Sequence, residues 1–253
     1  MTEAEKRSEE WRQMLSAPLF NLETRLLSRL ASDPRCLLCN SPYGKPFGPI
    51  LRRIGYGRSA RYPQLCRPCF RHFERHPGGA EVLITVLFAD VRGSTAIAER
   101  QTAEEFRRVL EGFYRHVTDV VADERGVIDK FLGDGVMALF IPSFTRTMHA
   151  ARALAAGRRI LAEADLPVGV GVNTGPAFTG FLGPSAEVAS FTAVGDAVNV
   201  AHRLGEAAAA GEMLAASTTF LAAEQQHPTG EGVEPRTLVV KGREQPVEAW
   251  SIR

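Results

Sequence analysis

From Val82 to Ala89 the chain reads Val-Leu-Ile-Thr-Val-Leu-Phe-Ala, almost without a polar group, and it stops at Asp90. A strand that is apolar at odd and even positions alike has to be covered on both faces. This segment therefore demands a sheet buried between layers. The residues that follow supply them. Thr102 and Glu105 have the spacing of a capping box, and Phe106, Val109, Leu110, Phe113, Val117 and Val120 then recur at helical intervals. Val127–Phe131 and Val136–Ile141 predict short strands on either side of Gly133-Asp134-Gly135, and Asp-Gly between apolar runs is a hairpin signal. An alanine-rich helix is expected over Met148–Ala164. A strand is expected from Val168 to Val172, then a Gly-Pro turn, then a strand over Ala177–Leu182.

The order β-α-β-β-α-β is that of the ferredoxin-like unit. Further elements are expected: a strand near Phe191–Val194, a helix over Asp196–Ala210, and strands near Leu238–Lys241 and Val247–Ile252. The expected class is α+β, a ferredoxin-like βαββαβ core with extra C-terminal strands, preceded by a small zinc-finger-like module. Pro77-Gly78-Gly79 marks a boundary. The expected organisation is an N-terminal helical segment over 1–33, a four-cysteine module over 34–79 and a large domain over 80–253. In the first segment Trp11, Leu15, Leu19, Leu22, Leu26 and Leu30 lie three or four apart, broken at Pro18. Such a stripe packs on its own domain or pairs with a second copy. The net charge of +1 predicts no particular partner. No apolar run reaches the ~20 residues that span a bilayer, and residues 1–10 lack the apolar core of a signal peptide. No membrane partner and a cytoplasmic location are expected.

Residues 34–76 hold all 4 cysteines, as Cys36-Leu-Leu-Cys39 and Cys66-Arg-Pro-Cys69, with 26 residues between the pairs. From Arg35 to Arg75 there are nine Lys or Arg and one acid, Glu74. So little apolar material needs a staple to fold. Two such hooks suit a closed tetrahedral Zn²⁺ site. An iron–sulfur cluster or an oxidation-sensing thiol pair would use the same residues. His72 and His76 follow on the next predicted helix and read as surface residues. The arginine-rich loop, interleaved with Tyr43, Phe47, Tyr56 and Tyr62, reads as a solvated surface in preference to a nucleic-acid site.

Asp90 ends the first strand of the large domain, and Asp134 lies in its β-hairpin. In a ferredoxin-like sheet the first and third strands are central neighbours, which brings these carboxylates together. Mg²⁺ prefers oxygen ligands of this kind, and paired metals can drive in-line attack at phosphorus. Gly93, Ser94 and Thr95 follow directly, and small residues before a helix let backbone N–H groups approach phosphate.

Four segments together carry a resemblance: Phe88-Ala-Asp-Val-Arg-Gly-Ser-Thr95, Lys130-Phe-Leu-Gly-Asp-Gly135, Gly171-Val-Asn-Thr-Gly175 and Val194-Gly-Asp-Ala-Val-Asn-Val-Ala-His-Arg203. In this order they resemble the catalytic domain of class III nucleotidyl cyclases, over roughly residues 80–253. The resemblance implies an adenylyl cyclase acting in intracellular signalling, which makes cyclic AMP and pyrophosphate from ATP with two Mg²⁺ or Mn²⁺ ions per active site. Asp90 and Asp134, with Val91 between the first aspartate and the loop, match the metal-binding positions. Lys130 and Thr192 match the base-reading pair of a bacterial adenylyl cyclase type. Asn199 and Arg203 match the catalytic pair. It also implies a head-to-tail homodimer with shared sites. Many relatives carry an arginine where this chain has Val188, and Arg243 falls near a family lysine that contacts phosphate. A cyclase for GTP or a pyrimidine triphosphate, and a non-catalytic nucleotide- or nucleic-acid-binding sensor, are the competing readings.

Overall fold

The computed structural model describes residues 2–17, 22–30, 33–184, 188–226, 233–239 and 246–253. The chain divides into two compact units. One contains Leu83–Ile141, Met148–Phe178 and Ala193–Arg253; the other contains Met1–Val82, Pro142–Thr147 and Thr179–Thr192.

The strands are β1 (Gly79–Val91), β2 (Val127–Leu132), β3 (Gly135–Phe140), β4 (Val168–Leu182), β5 (Ser190–Val194), β6 (Glu212–Ala216), β7 (Val233–Leu238) and β8 (Val247–Ile252). They form an 8-stranded sheet in the order β2-β3-β1-β4-β6-β8-β7, with β5 paired to β4. The first four follow the order expected of a ferredoxin-like core. β1 and β3 are antiparallel neighbours in register from Thr85↔Phe140 to Asp90↔Gly135. β4 and β6 run parallel.

The helices are α1 (Glu3–Ser16), α2 (Leu22–Ser28), α3 (Gly48–Arg53), α4 (Arg67–Arg75), α5 (Ser94–Ala98), α6 (Ala103–Asp123), α7 (Pro142–Thr145), α8 (His149–Glu163), α9 (Asp196–Ala207) and α10 (Ser217–Gln226). Thr102 caps α6 reciprocally with Glu105, as the spacing predicts. Alternation along β1 then explains its continuous apolarity. Leu87, Ala89 and Val91 join Phe113, Val117 and Val120 of α6 and Leu154 and Ile160 of α8 in one core cluster. On the opposite face, Phe88 meets the His202 ring of α9 edge-on, with centroids 5.0 Å apart. α9 itself packs Val200 and Leu204 against Leu214 of β6 and Val247 of β8. Where α9 crosses β4 only glycine fits: a Cβ on Gly171 would lie 2.0 Å from the Gly205 nitrogen.

Several expectations need correction. β4 is a single strand through Gly175-Pro176, because a residue before proline already favours extended backbone. Residues 240–241 of the strand expected near Leu238–Lys241 lie outside the described residues, and the described strand that reaches Leu238 is β7, Val233–Leu238. It is an edge strand, and a polar, proline-containing segment suits that place. α9 ends at Ala207, short of the expected Ala210. β6 and α10 were not expected at all.

In the other unit, Trp11 and Leu15 of α1 are fully buried, so this part of the stripe packs within its own unit. Trp11 stacks on Phe73 of α4 at 5.0 Å, and its indole N–H donates to the His76 carbonyl at 3.0 Å. Beyond Pro18 the stripe shifts: Leu27 is buried while Leu26 is exposed. Leu19 lies outside the described residues, as does the side chain of Leu22.

Candidate functional site

The loop joining β2 to β3 is Gly133-Asp134, with Leu132 paired to Gly135. Gly133 takes a φ of 68°, the left-handed value that a two-residue hairpin asks of glycine. The turn thus begins one residue before the expected Asp-Gly pair. It sets Asp134 beside the end of β1. The Val91 N–H donates to the Asp134 carbonyl at 3.1 Å, and the Ser94 hydroxyl donates to the Asp134 carboxylate. Across the ladder, a Cβ at Gly135 would sit 3.3 Å from the Asp90 carboxylate, so glycine there leaves room for that group. Ser94 and Thr95 form the first turn of α5, after Gly93 in a left-handed conformation.

Burial pushes the Asp90 carboxyl above its usual range, and the negative charge of Asp134 adds to this against Arg92 and His202. The only cation within ion-pairing distance of Asp90 among the described residues is Arg92, at 3.8 Å. Arg92 is itself committed to the α9 C-terminus, donating to the Gly205 and Glu206 carbonyls. Two acceptor-rich carboxylates with so little counter-charge fit a divalent cation.

Lys130 lies on β2 and pairs with the buried Asp129 at 3.2 Å. Thr192 is buried on β5. Asn199 is exposed on α9, and Arg203, one turn later, pairs with Glu206 at 2.6 Å. Strand pairing brings Asp90 and Asp134 together; the other four stand on three separate elements. Val188 is exposed, and Arg243 lies outside the described residues.

The contacts that support this arrangement carry no local signal in the sequence. Asn173 of β4 donates through its amide to the Ala197 carbonyl in the first turn of α9, at 2.9 Å. Its neighbour Thr174 belongs to a buried chain: the Thr85 hydroxyl lies 2.7 Å from that of Thr174 and 2.8 Å from His149 Nδ1. Burial lowers the His149 pKa to about 4, so the imidazole is neutral. Asn173 and Thr174 fall within the Gly171–Gly175 motif, whereas nothing local marks Thr85 or His149.

The four cysteine sulfurs lie within 4.8 Å of one another. Cys39 and Cys66 are 3.5 Å apart, and the Cys66 N–H donates to the Cys36 sulfur at 3.3 Å. Cys66 is the N-cap of α4, which puts Cys69 in its first turn. Burial opposes charge on Cys36, but hydrogen bonds from Cys39, Cys66 and Cys69 hold its thiol well below the usual range. The same contact with Cys36 pushes Cys39 and Cys69 up. A tetrahedral site with metal–sulfur bonds of about 2.3 Å needs sulfurs about 3.8 Å apart, and this donor set fits it. Among the described residues His72 and His76 are not part of that group. They line a cavity of about 500 Å³ with Trp11, Met14, Cys39 and Cys69.

Residues 80–252 match the family model described as the adenylate and guanylate cyclase catalytic domain. An uncharacterized protein of Mycobacterium tuberculosis is 31% identical over 182 residues, covering 69% of this chain and 32% of that protein. The adenylate cyclase of Anabaena cylindrica is 33% identical over 135 residues, covering 48% of this chain and 26% of that one. This chain thus spans about a third or less of these relatives' length. Among solved structures, the guanylyl cyclase Cya2 superposes with a TM-score of 0.61 at 32% identity, covering 69% of this chain and 93% of that one. The adenylyl cyclase CyaB from P. aeruginosa superposes with a TM-score of 0.60 at 25% identity, covering 69% and 95%. No described helix is long and apolar enough to cross a membrane.

Proposed function

Because this chain belongs to the adenylate and guanylate cyclase family through residues 80–252, we propose that it is an adenylyl cyclase converting ATP to 3′,5′-cyclic AMP and pyrophosphate. The observation that carries the reading is the Asp90–Asp134 pair at the end of β1, where register and hairpin place two carboxylates with little counter-charge. Asp90 and Asp134, with the Val91 backbone, hold the divalent cations, Mg²⁺ or Mn²⁺. Bound there, such cations act as Lewis acids toward the 3′-hydroxyl and the phosphates.

The remaining roles fall to groups suited to them. Adenine offers N1 as an acceptor and its amino group as a donor; the Lys130 ammonium donates to the first, and the Thr192 hydroxyl accepts from the second. Asn199 orients the ribose. The Arg203 guanidinium faces the negative charge that grows on the α-phosphoryl oxygens, once released from Glu206. Gly93, Ser94 and Thr95 offer backbone and hydroxyl donors to phosphate, Arg243 supplies a phosphate contact where relatives place a lysine, and Val188 leaves out the one that many relatives make through an arginine. The site is completed by a second copy arranged head to tail, with aspartates from one subunit and Lys130, Thr192, Asn199 and Arg203 from the other. Residues 80–253 form the catalytic domain, and residues 34–79 hold Zn²⁺ through Cys36, Cys39, Cys66 and Cys69. The protein works in the cytoplasm, in signal transduction.

Similarity to the guanylyl cyclase Cya2 at 32% identity makes GTP the competing substrate. Purified protein is incubated with Mn²⁺ or Mg²⁺ and each of ATP, GTP, CTP and UTP, beside Asp134→Ala. Cyclic AMP from ATP alone, lost in the variant, is expected. Cyclic GMP as the main product would overturn the reading of Lys130 and Thr192. No product from any nucleotide would overturn the cyclase assignment itself.

A further inference from the structure

We infer that the metal held by the four cysteines positions the base-reading strand β5, so that nucleotide selectivity depends on an occupied cysteine centre. This rests on the reading of Thr192 as a base-reading residue. The links all lie within one compact unit, which groups residues 1–82 with Thr179–Thr192.

The connection starts at Cys66. This cysteine forms a β-bridge with Arg58, and the Arg67 N–H donates to the Gly57 carbonyl at 2.8 Å. The intervening loop is closed further by Ser59 N–H to Leu65 carbonyl at 2.8 Å and Leu65 N–H to Tyr62 carbonyl at 2.9 Å. Arg61 and Tyr62 stand on this loop, and both reach β5 or its approach. The Tyr62 hydroxyl accepts from the Phe191 N–H at 2.9 Å. The Arg61 guanidinium donates to the Ala189 carbonyl. Two consecutive side chains therefore hold the backbone on both sides of Ser190.

Packing reinforces the hold. The Tyr62 ring lies 5.5 Å from Phe70, which is on α4 immediately after Cys69. It also meets Phe181 edge-on at 5.9 Å. Phe191 packs on Phe181 at 5.6 Å and on Phe73 of α4 at 6.2 Å. In a strand, neighbouring side chains point to opposite faces. Phe191 thus anchors β5 in the aromatic cluster while Thr192, the next residue, stands on the other face and is buried there. Cys66 closes the loop and Cys69 stands in the first turn of α4, so a bound metal ties the loop to the start of α4. Losing it frees Arg61, Tyr62 and Phe70 together.

The test uses the full chain. Zinc is removed with a chelator, Mg²⁺ is restored, and amide hydrogen exchange is followed over residues 188–193. In parallel Tyr62→Phe, which keeps the ring and removes the acceptor, is assayed for zinc content, exchange, and kcat/KM on ATP and GTP. Arg61→Gln is the second variant, should the first not fold. Zinc removal is expected to speed exchange at Phe191 by about two- to tenfold, the factor one lost hydrogen bond carries. Tyr62→Phe is expected to do the same with its zinc retained. It should also raise KM for ATP more than it lowers kcat, and narrow the ATP-over-GTP ratio. A uniform loss of activity with the ratio unchanged would mean a merely structural role and would overturn the inference. So would exchange at 188–193 that ignores zinc removal. Wild-type protein inactive on every nucleotide would sink the cyclase reading and the selectivity claim with it. The exchange result would then stand by itself as the measure of the metal-to-strand link.

Discussion

His149 makes stability depend on pH in a way that can be worked through. Its imidazole is buried at the start of α8, bonded to Thr85, and burial lowers its pKa from 6.5 to about 4. The unfolded chain therefore binds a proton below pH 6.5 that the folded chain accepts only near pH 4. Between those values the unfolded state holds more protons, so stability rises with pH across the window and falls as the pH drops through it. A shift of this size corresponds to about 3 kcal/mol at 1.36 kcal/mol per pKa unit. Above pH 6.5 both states are neutral at this position and it contributes no slope. Denaturant unfolding at pH 7.5, 6.5, 5.5 and 4.5 is compared for wild type and His149→Gln, which cannot take up the proton. The wild type should lose on the order of 2–3 kcal/mol more than the variant between pH 7 and pH 4.5. Parallel curves would refute the reasoning and mean that the imidazole is solvated or charged in the fold. The functional consequence follows the hydrogen bonds: Thr85 is on β1, which ends at Asp90, and Thr174 adjoins Asn173, which holds the first turn of α9.

Three further outcomes follow. Gly171→Ala drives a methyl into the Gly205 backbone of α9, at 2.0 Å. It should destabilise the protein by about 2–3 kcal/mol or more and reduce kcat, since α9 carries Asn199 and Arg203; calorimetry and cyclase assays check both, and a neutral variant would mean that α9 shifts freely over β4. Lys130→Glu replaces the donor proposed for adenine N1 with an acceptor, and should lower kcat/KM for ATP by about tenfold or more while raising that for GTP. An unchanged preference removes Lys130 from base recognition. Trp11→Ala removes a fully buried ring stacked on Phe73 of α4 and should cost about 3–5 kcal/mol, seen as a lower melting temperature and faster loss of bound zinc to a chelator.

The local signals in this sequence settled the local structure. The apolar run over Val82–Ala89, the Thr102–Glu105 capping box and the Gly133–Gly135 turn each encode an element within a few residues, and their order selects the α+β core and its first four strands. The CxxC hooks likewise foretold a compact cluster of sulfurs, because two short turns present their thiols inward. Leu27 is buried in place of Leu26 because α1 and α2 are separate helices, whereas the spacing assumes one helical phase. β6 and α10 were invisible because they are short and gain their order from β4, β8 and α8.

What only the tertiary structure decided depends on contacts between residues far apart in the chain. The bond from Phe191 to Tyr62, the neutral His149 beneath Thr85, and the Asn173 brace on α9 join positions separated by 129, 64 and 24 residues. No periodicity marks such pairs, since each is a hydrogen bond that exists only after packing has excluded water from both partners. The sequence determined which elements form and which chemistry-bearing side chains stand at their ends. The fold decided which backbone each of those side chains holds, and so how firmly they are placed.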